Sequence, residues 1–339
     1  MQKSSRVKIL AWIFDNIAWF ILGALVIIFS LTIEGFAQWP IYRNILSHAI
    51  FVGILAIAEA LCIISGEMDL STESVMALAA VLTAYLAGTS TDASGLRMGA
   101  VATLAIVIAV GALMGFVNAF FVVKMKINSF IVTLAGYLAY RAVGLVITGG
   151  RGVLNIHPSI VAVARTGIGP IPMFVIIMVA LYAVFHWFLG RTKFGRYIYY
   201  VGDSRDAAFN AGIRVSRVLF GVFILSSVLS AVAGWLLAAR TNGSSPSLGM
   251  GMLFEAMAAV VIGGVSLQGG IGRLSGVFAG ALLLSSISTV ISIVGMNPFY
   301  MNIIRGALIL AAVTLDIVIR NARARLTYLS TAEATVKSS

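Results

Sequence analysis

Long apolar stretches separated by short polar turns recur along almost the whole chain. Stretches of about 17–25 apolar residues are long enough to cross a bilayer as helices, and their repetition predicts about ten spans. The chain is therefore predicted to form one all-α domain over 1–339, a polytopic transmembrane helical bundle. The predicted spans lie near 11–33, 47–65, 73–88, 99–123, 129–149, 170–190, 217–239, 253–265, 274–295 and 299–319.

Two of these segments, 73–88 and 253–265, are short and flanked by glycine. Each could be complete, tilted, broken or re-entrant, so short or broken helices are expected within pseudo-halves of about 1–190 and 191–339. Two similar short segments support such breaks. Gly66–Ser71 and Gly263–Gln268 each follow an apolar helix that ends near an isoleucine. The two matches fit either an internal repeat or two ordinary turns.

The longest polar interruption, residues 190–217, is predicted to be a cytoplasmic loop that holds one short helix. Asp203 and Ser204 are good N-caps, and Gly212 is a good stop signal. Positive charge flanks this helix, which is expected to dock another protein. The residues expected to make this coupling contact are Ser204, Asp206, Ala207, Ala208, Ala211 and Gly212.

Composition and charge indicate a membrane protein and its orientation in the bilayer. Hydrophobic residues make up 60% of the chain, charged residues 10%, and the net charge is +11. With a cytoplasmic N-terminus, the external segments hold only a minority of the basic residues, so both termini are predicted to be cytoplasmic. Those external basic residues are Arg43, Arg97, Arg151, Arg165 and Arg240. The net charge therefore indicates topology and attraction to membrane lipid, and not nucleic-acid binding.

Catalytic and cofactor chemistry is not apparent in the sequence. Cys62 is the single cysteine, and His48, His157 and His186 lack metal-ligand spacing. No G-x-x-x-x-G-K-[ST] motif is present, so we expect nucleotide hydrolysis, if any, on another chain. We predict no catalytic residue, no metal site and no cofactor bound by this chain. The short external loops also imply that high-affinity solute capture needs another polypeptide.

Charged residues within predicted spans are the remaining signals. Glu59, Arg141 and Arg305 would each cost about 3 kcal/mol or more facing lipid, so each should face protein or a cavity. Two roles are possible for these residues: a buried Glu–Arg pair that joins two helices, or a contact with the solute. Glu255 begins a predicted span, where the helix dipole favours a carboxylate. The candidates for the translocation pathway are Glu59, Asp69, Asn118, Arg141, Gly263, Gly264 and Ser266.

Four ordered blocks resemble the permease subunits of bacterial ABC importers for monosaccharides of the ribose, xylose and galactose type. They are Ile64–Ser71; Gly115 and Asn118 through Arg141 to Gly150; Gly195–Arg196 with Gly202, Ala207–Ala208 and Gly212–Ile213; and Ala258–Gly264 with Ser266–Leu267 and Gly269–Gly270. The chain departs from the family pattern at Glu67 and Glu73, where glycine is usual. These two carboxylates are expected either to tune the cargo or to sit in solvent.

The resemblance implies a type II ABC importer-like fold in the bacterial inner membrane. It implies a cytoplasmic ATPase that binds ATP and Mg²⁺ and docks on 190–217, and a periplasmic or lipid-tethered solute-binding protein. It also implies a second permease copy or a paralogue, and a sugar or sugar-like cargo.

Two other functions compete with this prediction. A proton-coupled secondary transporter of a small polar solute would use Glu59 as a proton relay. An intramembrane enzyme or a passive channel is the second alternative, although no nucleophile–base pair and no ring of like residues indicates either.

Overall fold

The computed structural model describes residues 16–297 and positions 300, 303, 304, 306, 307, 310 and 314. Residues 11–15 of the first predicted span, and most of the predicted span 299–319 with Arg305, lie outside the described residues. The long helices are α1 (Ile17–Thr32), α2 (Trp39–Ile64), α3 (Thr72–Ala87), α4 (Ala100–Ala119), α5 (Ser129–Thr148), α7 (Met173–Arg191), α10 (Val215–Thr241) and α12 (Leu274–Ile293).

The shorter elements are α6 (Pro158–Arg165), α8 (Lys193–Asp203), α9 (Arg205–Asn210) and α11 (Met252–Ile262), with a π-helical turn at Phe120–Lys124 after α4. Two small antiparallel pairs join β1 (Val153–Leu154) to β4 (Gly243–Ser244), and β2 (Gly167–Ile168) to β3 (Ile171–Pro172). Six of the described helices are long and apolar enough to cross a membrane, namely α2, α4 with its π turn, α5, α7, α10 and α12. Three shorter apolar helices, α1, α3 and α11, coincide with further predicted spans.

Helix α2 forms the centre of the bundle. It begins eight residues before the predicted span 47–65, with a proline in its first turn where the missing N–H costs nothing. Every residue from Ala49 to Ile64 is buried against α7, α10, α11 and α12. Helices α4, α5 and α7 instead expose apolar side chains such as Val101, Leu138 and Trp187, which suits contact with hydrocarbon.

The two short segments are helices shorter than the hydrocarbon core, and each is attached to a break in the backbone. Thr72, the first residue of α3, lies beside Glu59, so the chain folds back by about 7.5 Å after α2 ends at Ile64. Helix α11 has 11 residues and so rises only about 16 Å, roughly half of the ~30 Å hydrocarbon core. Both helices therefore begin inside the bundle.

The region 190–217 differs from the prediction of one loop with one short helix. Helix α8 fills its first half, because Gly195, Ile198 and Val201 recur at helical spacing and are all buried. Asp203 is the last residue of α8 and not an N-cap. Ser204 is the N-cap of α9, and its Oγ accepts a hydrogen bond from the Ala207 N–H at 3.2 Å.

Three segments meet through their backbones at the end of the bundle where α8 and α9 lie. The Gly270 N–H donates to the carbonyl oxygen of Ile64 at 2.9 Å. A Cβ atom at Gly202 would overlap that same carbonyl and would lie 2.7 Å from the nitrogen of Gly270. The end of α2, the end of α8 and the loop after α11 are thus in contact without side chains between them.

Gly202→Ala should destabilise the protein by about 1–3 kcal/mol, because the new methyl group has no room. Alanine in a helix otherwise gains about 0.5–1 kcal/mol over glycine, so Gly190→Ala in α7, where nothing lies within 4 Å, is the matched control. Thermal unfolding of the detergent-purified protein should show a lower Tm for the first variant only. Equal Tm values would contradict the close backbone contact.

Candidate functional site

A buried polar cluster surrounds residues 65–71, the break between α2 and α3. The carboxylate of Asp69 accepts hydrogen bonds from the Ser71 N–H at 3.0 Å and the Ser71 hydroxyl at 2.6 Å, both through Oδ1. Its Oδ2 accepts from the Ser226 hydroxyl of α10 at 3.1 Å. Asp69 and both serines are fully buried. The carboxylate therefore ties non-helical backbone to a neighbouring helix.

The cluster extends to two more helices through side-chain amide and phenol groups. Asn118 of α4 donates from Nδ2 to the Ser71 hydroxyl at 2.8 Å. The Tyr140 hydroxyl of α5 donates to Asn118 Oδ1, also at 2.8 Å. These hydrogen bonds join five side chains into the polar cluster, which consists of Asp69, Ser71, Asn118, Tyr140 and Ser226. Asp69 and Asn118 are predicted pathway residues, and the structure brings them into one network. Tyr140 and Ser226 were not predicted, because no sequence motif marks them.

Glu59 belongs to α2, lies beside the start of α3 and is fully buried. Its Oε1 accepts from the Thr72 hydroxyl at 2.6 Å. This bond links α2 to the first residue of α3, so the side chain fixes the point at which the chain re-enters the bundle.

Arg141 is paired with Glu73, which corrects one expectation. The guanidinium Nη2 lies 2.7 Å from Glu73 Oε1, and the two side chains are 14% and 1% exposed. Arg141 Nη1 also donates to the Pro246 carbonyl at 2.7 Å. A buried Glu–Arg pair was one of the two possibilities for Arg141. A solvent position for Glu73 is wrong, because the surrounding helices exclude water from it.

The other oxygen of Glu73 holds the start of α11. Oε2 accepts from the N–H groups of Gly251 at 2.9 Å and Leu253 at 3.1 Å. These N–H groups have no partner within their own helix, and the positive end of the helix dipole favours a carboxylate there. Glu73 therefore joins the first turns of the two short helices, α3 and α11, to α5.

Glu67 is also buried, and its expected place in solvent is likewise wrong. Its Oε1 lies 2.7 Å from Arg205 Nη2, and its side chain is 5% exposed. Arg205 is the first residue of α9. The break that contains Asp69 is thus bonded directly to the short helix in the polar region.

Gly263, Gly264 and Ser266 do not join the polar cluster. They lie where α11 ends, and Gly263 packs against Gly276 and Val277 of α12. The Ser266 N–H donates to the Ile271 carbonyl at 3.0 Å, which closes a tight loop. Through Gly270 this loop contacts Ile64, so both glycine-rich breaks meet at the same end of the bundle.

Helix α9 turns one face inward and one outward. Ala208 is buried against the core of its own chain, whereas Asp206, Ala207 and Ala211 are exposed. Gly212 ends the helix with φ +79°, as its predicted role as a stop requires. Phe209 is 71% exposed and was not among the predicted residues. The signal that could have found it is a single aromatic residue among the polar and small residues of 203–212.

Helix α8 supports α9 and exposes two further aromatic side chains, Tyr197 and Tyr200. Tyr199 on its opposite side donates to the Gly272 carbonyl at 3.0 Å. Burial raises the pKa of the Tyr199 phenol, while the charge of Arg273 acts to lower it. The phenol stays protonated at neutral pH and keeps this bond.

The opposite end of the bundle carries the small β pairs and α6. A cleft of about 430 Å³ opens there, lined among others by Asn155, Arg165 and Asn242. Asn242 Oδ1 accepts from the Ile156 N–H at 3.3 Å, which holds the cleft wall to the end of α10. Within the described residues, no group of three or more His, Cys, Asp or Glu side chains could hold a metal ion.

Comparison with known proteins gives one family. The model for the branched-chain amino acid transport system/permease component family matches residues 41–313. The fructose import permease protein of Rhizobium meliloti is 33% identical over 290 residues, 83% of this chain and 78% of that protein. The L-arabinose transport system permease protein of Escherichia coli is 34% identical over 268 residues, 78% of each chain. The ribose import permease protein of Escherichia coli is 32% identical over 313 residues, 90% of this chain and 94% of that protein. No solved structure gives a significant match.

Arg141→Met should destabilise the protein by about 3–5 kcal/mol, because it leaves the Glu73 carboxylate buried without its cation. The double variant Glu73→Gln/Arg141→Met, which removes both charges, should be more stable than Arg141→Met alone. The matched control is Arg151→Met, whose ion pair with Asp92 at 3.4 Å is exposed and should contribute under about 1 kcal/mol. Thermal unfolding in detergent measures all three variants. Equal effects of Arg141→Met and Arg151→Met would contradict the pairing.

Proposed function

This chain belongs to the family of branched-chain amino acid transport system permease components, and from that membership we propose that it carries a sugar or sugar-like solute through the membrane for an ATP-binding cassette importer. It is a transport subunit, and the energy comes from a separate ATPase. The fructose, L-arabinose and ribose permeases among its relatives support a monosaccharide as the cargo class.

The chemistry of the polar cluster supports a neutral, hydroxyl-rich cargo. A sugar that leaves water must exchange its hydrogen bonds for others, since each one lost costs free energy. Asp69, Asn118 and Tyr140 supply carboxylate, amide and phenol groups deep within an apolar bundle. We propose that the route passes beside this break, because non-helical backbone at membrane depth is tolerated where it lines protein or water.

The exposed Phe209 on α9 is the observation on which the proposal of a docked ATPase rests. The helix is capped by Ser204, stopped at Gly212 and anchored inward by Ala208, so it presents Phe209 from a fixed backbone. Aromatic anchors on rigid elements are typical centres of protein interfaces. We propose that a groove on the ATPase receives this side chain, with Tyr197 and Tyr200 at the border.

The rest of the proposed assembly follows if the ATPase, and therefore α8 and α9, lies on the cytoplasmic side. With α8 and α9 in the cytoplasm, the end that carries α6 and the cleft faces outward and would receive a periplasmic or lipid-tethered solute-binding protein. We propose ten spans with both termini cytoplasmic, in a bacterial inner membrane. A second permease copy or a paralogue would complete the channel. ATP and Mg²⁺ would be held by the ATPase.

Phe209→Ala should weaken recovery of the ATPase at least about tenfold, since loss of an interface anchor costs about 2 kcal/mol or more. Phe209→Leu should retain part of the binding because it keeps an apolar side chain. Asn210→Ala, an exposed neighbour on the same helix, is the matched control. The measurement is co-purification of the transporter's ATPase in detergent, with permease Tm recorded. Full ATPase recovery with Phe209→Ala would contradict docking through α9.

Uptake should persist when the proton gradient is collapsed while ATP is held constant. Proteoliposomes that contain permease, ATPase and solute-binding protein can be tested with labelled ribose, L-arabinose and fructose and a protonophore. Glu59→Gln should retain ATP-driven uptake if its assembly is intact, because it keeps an acceptor for Thr72. Uptake that stops with the protonophore and with Glu59→Gln would instead favour the proton-coupled secondary transporter.

A further inference from the structure

The ion pair between Glu67 and Arg205 joins two segments with different tasks in the proposed importer. Arg205 begins α9, the proposed docking helix, whereas Glu67 lies in the break two residues before Asp69. The residues are 138 positions apart in sequence, and their charged groups are 2.7 Å apart. The same nitrogen of Arg205 lies 3.4 Å from the Gly66 carbonyl. One guanidinium group therefore holds both the backbone and the side chain of the break.

The backbone contacts around this pair leave little room for independent movement. The nitrogen of Gly270 is bonded to Ile64, and a Cβ at Gly269 would lie 2.7 Å from the Gly202 carbonyl and 3.0 Å from Gly66. Packed backbones transmit displacement because interiors are dense and poorly compressible. The end of α8 therefore cannot shift far without moving the start of the break.

The break is bonded to the rest of the bundle immediately after Glu67. The Met68 N–H donates to the Ser129 hydroxyl of α5 at 3.3 Å, and Asp69 binds Ser71 and Ser226. A displacement of Glu67 would thus reach α5 and α10 through the next two residues. No other described ion pair links α9 to this segment.

The exposure of the two side chains is unequal, which decides how the pair acts. The Glu67 side chain is 5% exposed and the Arg205 side chain 51%. A nearly buried carboxylate loses much when its cation is withdrawn, so it follows the cation. The guanidinium keeps donors on its exposed side and moves with α9. A movement of α9 therefore displaces Arg205 first, and the Glu67 carboxylate follows the guanidinium.

We propose that Glu67 and Arg205 are positioning residues that transmit movement of α9 to the Asp69 break, and so couple ATP hydrolysis to solute passage. This rests on the proposed function, in which an ATPase docks on α9. Neither residue needs to touch the solute or the ATPase groove for this role. Their contribution is to make the break move whenever the docked helix moves.

The test compares solute imported per ATP hydrolysed in proteoliposomes with the ATPase, the solute-binding protein and labelled ribose, L-arabinose or fructose. Arg205→Gln and Glu67→Gln should each lower this ratio by about fivefold or more, the lower range of typical coupling between sites. The double variant should be no worse than either single variant, because the lost link is the same. Arg205→Lys should restore part of the ratio.

The matched control is Arg214→Gln, which removes the same charge from an exposed position between α9 and α10. It should leave the ratio unchanged. Arg205→Gln leaves the nearly buried Glu67 carboxylate without its cation, so its Tm should fall. The double variant Glu67→Gln/Arg205→Gln removes both charges, and its Tm and ATPase co-purification should stay close to wild type while its ratio stays low. Loss of co-purification in that variant would make Arg205 a docking contact and overturn the inference. A wild-type ratio with full assembly would overturn it as well.

Failure of the docking proposal gives a different result. In that case Phe209→Ala retains the ATPase, whatever the ratio measured for the Arg205 variants. If either single variant is poorly folded, the double variant and Arg205→Lys still decide the inference, since neither leaves the Glu67 carboxylate buried without a cation.

Discussion

Backbone groups inside an apolar bundle must find their hydrogen-bond partners within the protein, and both broken helices meet this requirement with a carboxylate. Asp69 accepts from the Ser71 N–H before α3, and Glu73 accepts from the first N–H groups of α11. The remaining oxygens bind Ser226 and Arg141, respectively. The breaks that give the bundle a polar interior are therefore the same places where its helices are tied together.

This arrangement places the polar cluster and the α9 surface at two ends of one short segment. Residues 64–71 begin against Gly202 and Gly270, pass through the ion pair with Arg205 and end at Asp69 and Ser71. Glu73 then connects α3 to α5 and α11. In the proposed importer, movement enters at the α9 surface and acts at the polar cluster, and this segment supplies the mechanical connection between them.

The sequence predicted what depends on local composition. Apolar runs located the long helices, and Ser204 and Gly212 marked the limits of α9. Helix α8 was missed because its polar face suggested a loop, although Ile198 and Val201 stand three residues apart on its buried face. The start of α2 was placed too late because Arg43 and Asn44 interrupt the apolar run. The signal for an earlier start was Pro40.

The pairing of charges could not be read from the chain. Glu73 and Arg141 are 68 residues apart, and only the packing of α3 on α5 makes them neighbours. Both carboxylates that depart from the usual glycine were expected to tune the cargo or to sit in solvent, and both are buried in ion pairs. A long-range contact of this kind depends on which helices pack together, and apolar periodicity specifies only which face of a helix is buried.

The long sequence separations at Glu73 have a consequence for biosynthesis. The chain emerges from the ribosome in order, so Glu73 is made 68 residues before Arg141 and 178 residues before Gly251. During that interval its carboxylate has neither final partner, and exposure to hydrocarbon would be costly. Helix α3 is therefore expected to stay beside water or the insertion machinery until α5 arrives, and to be locked in place only when α11 has been made.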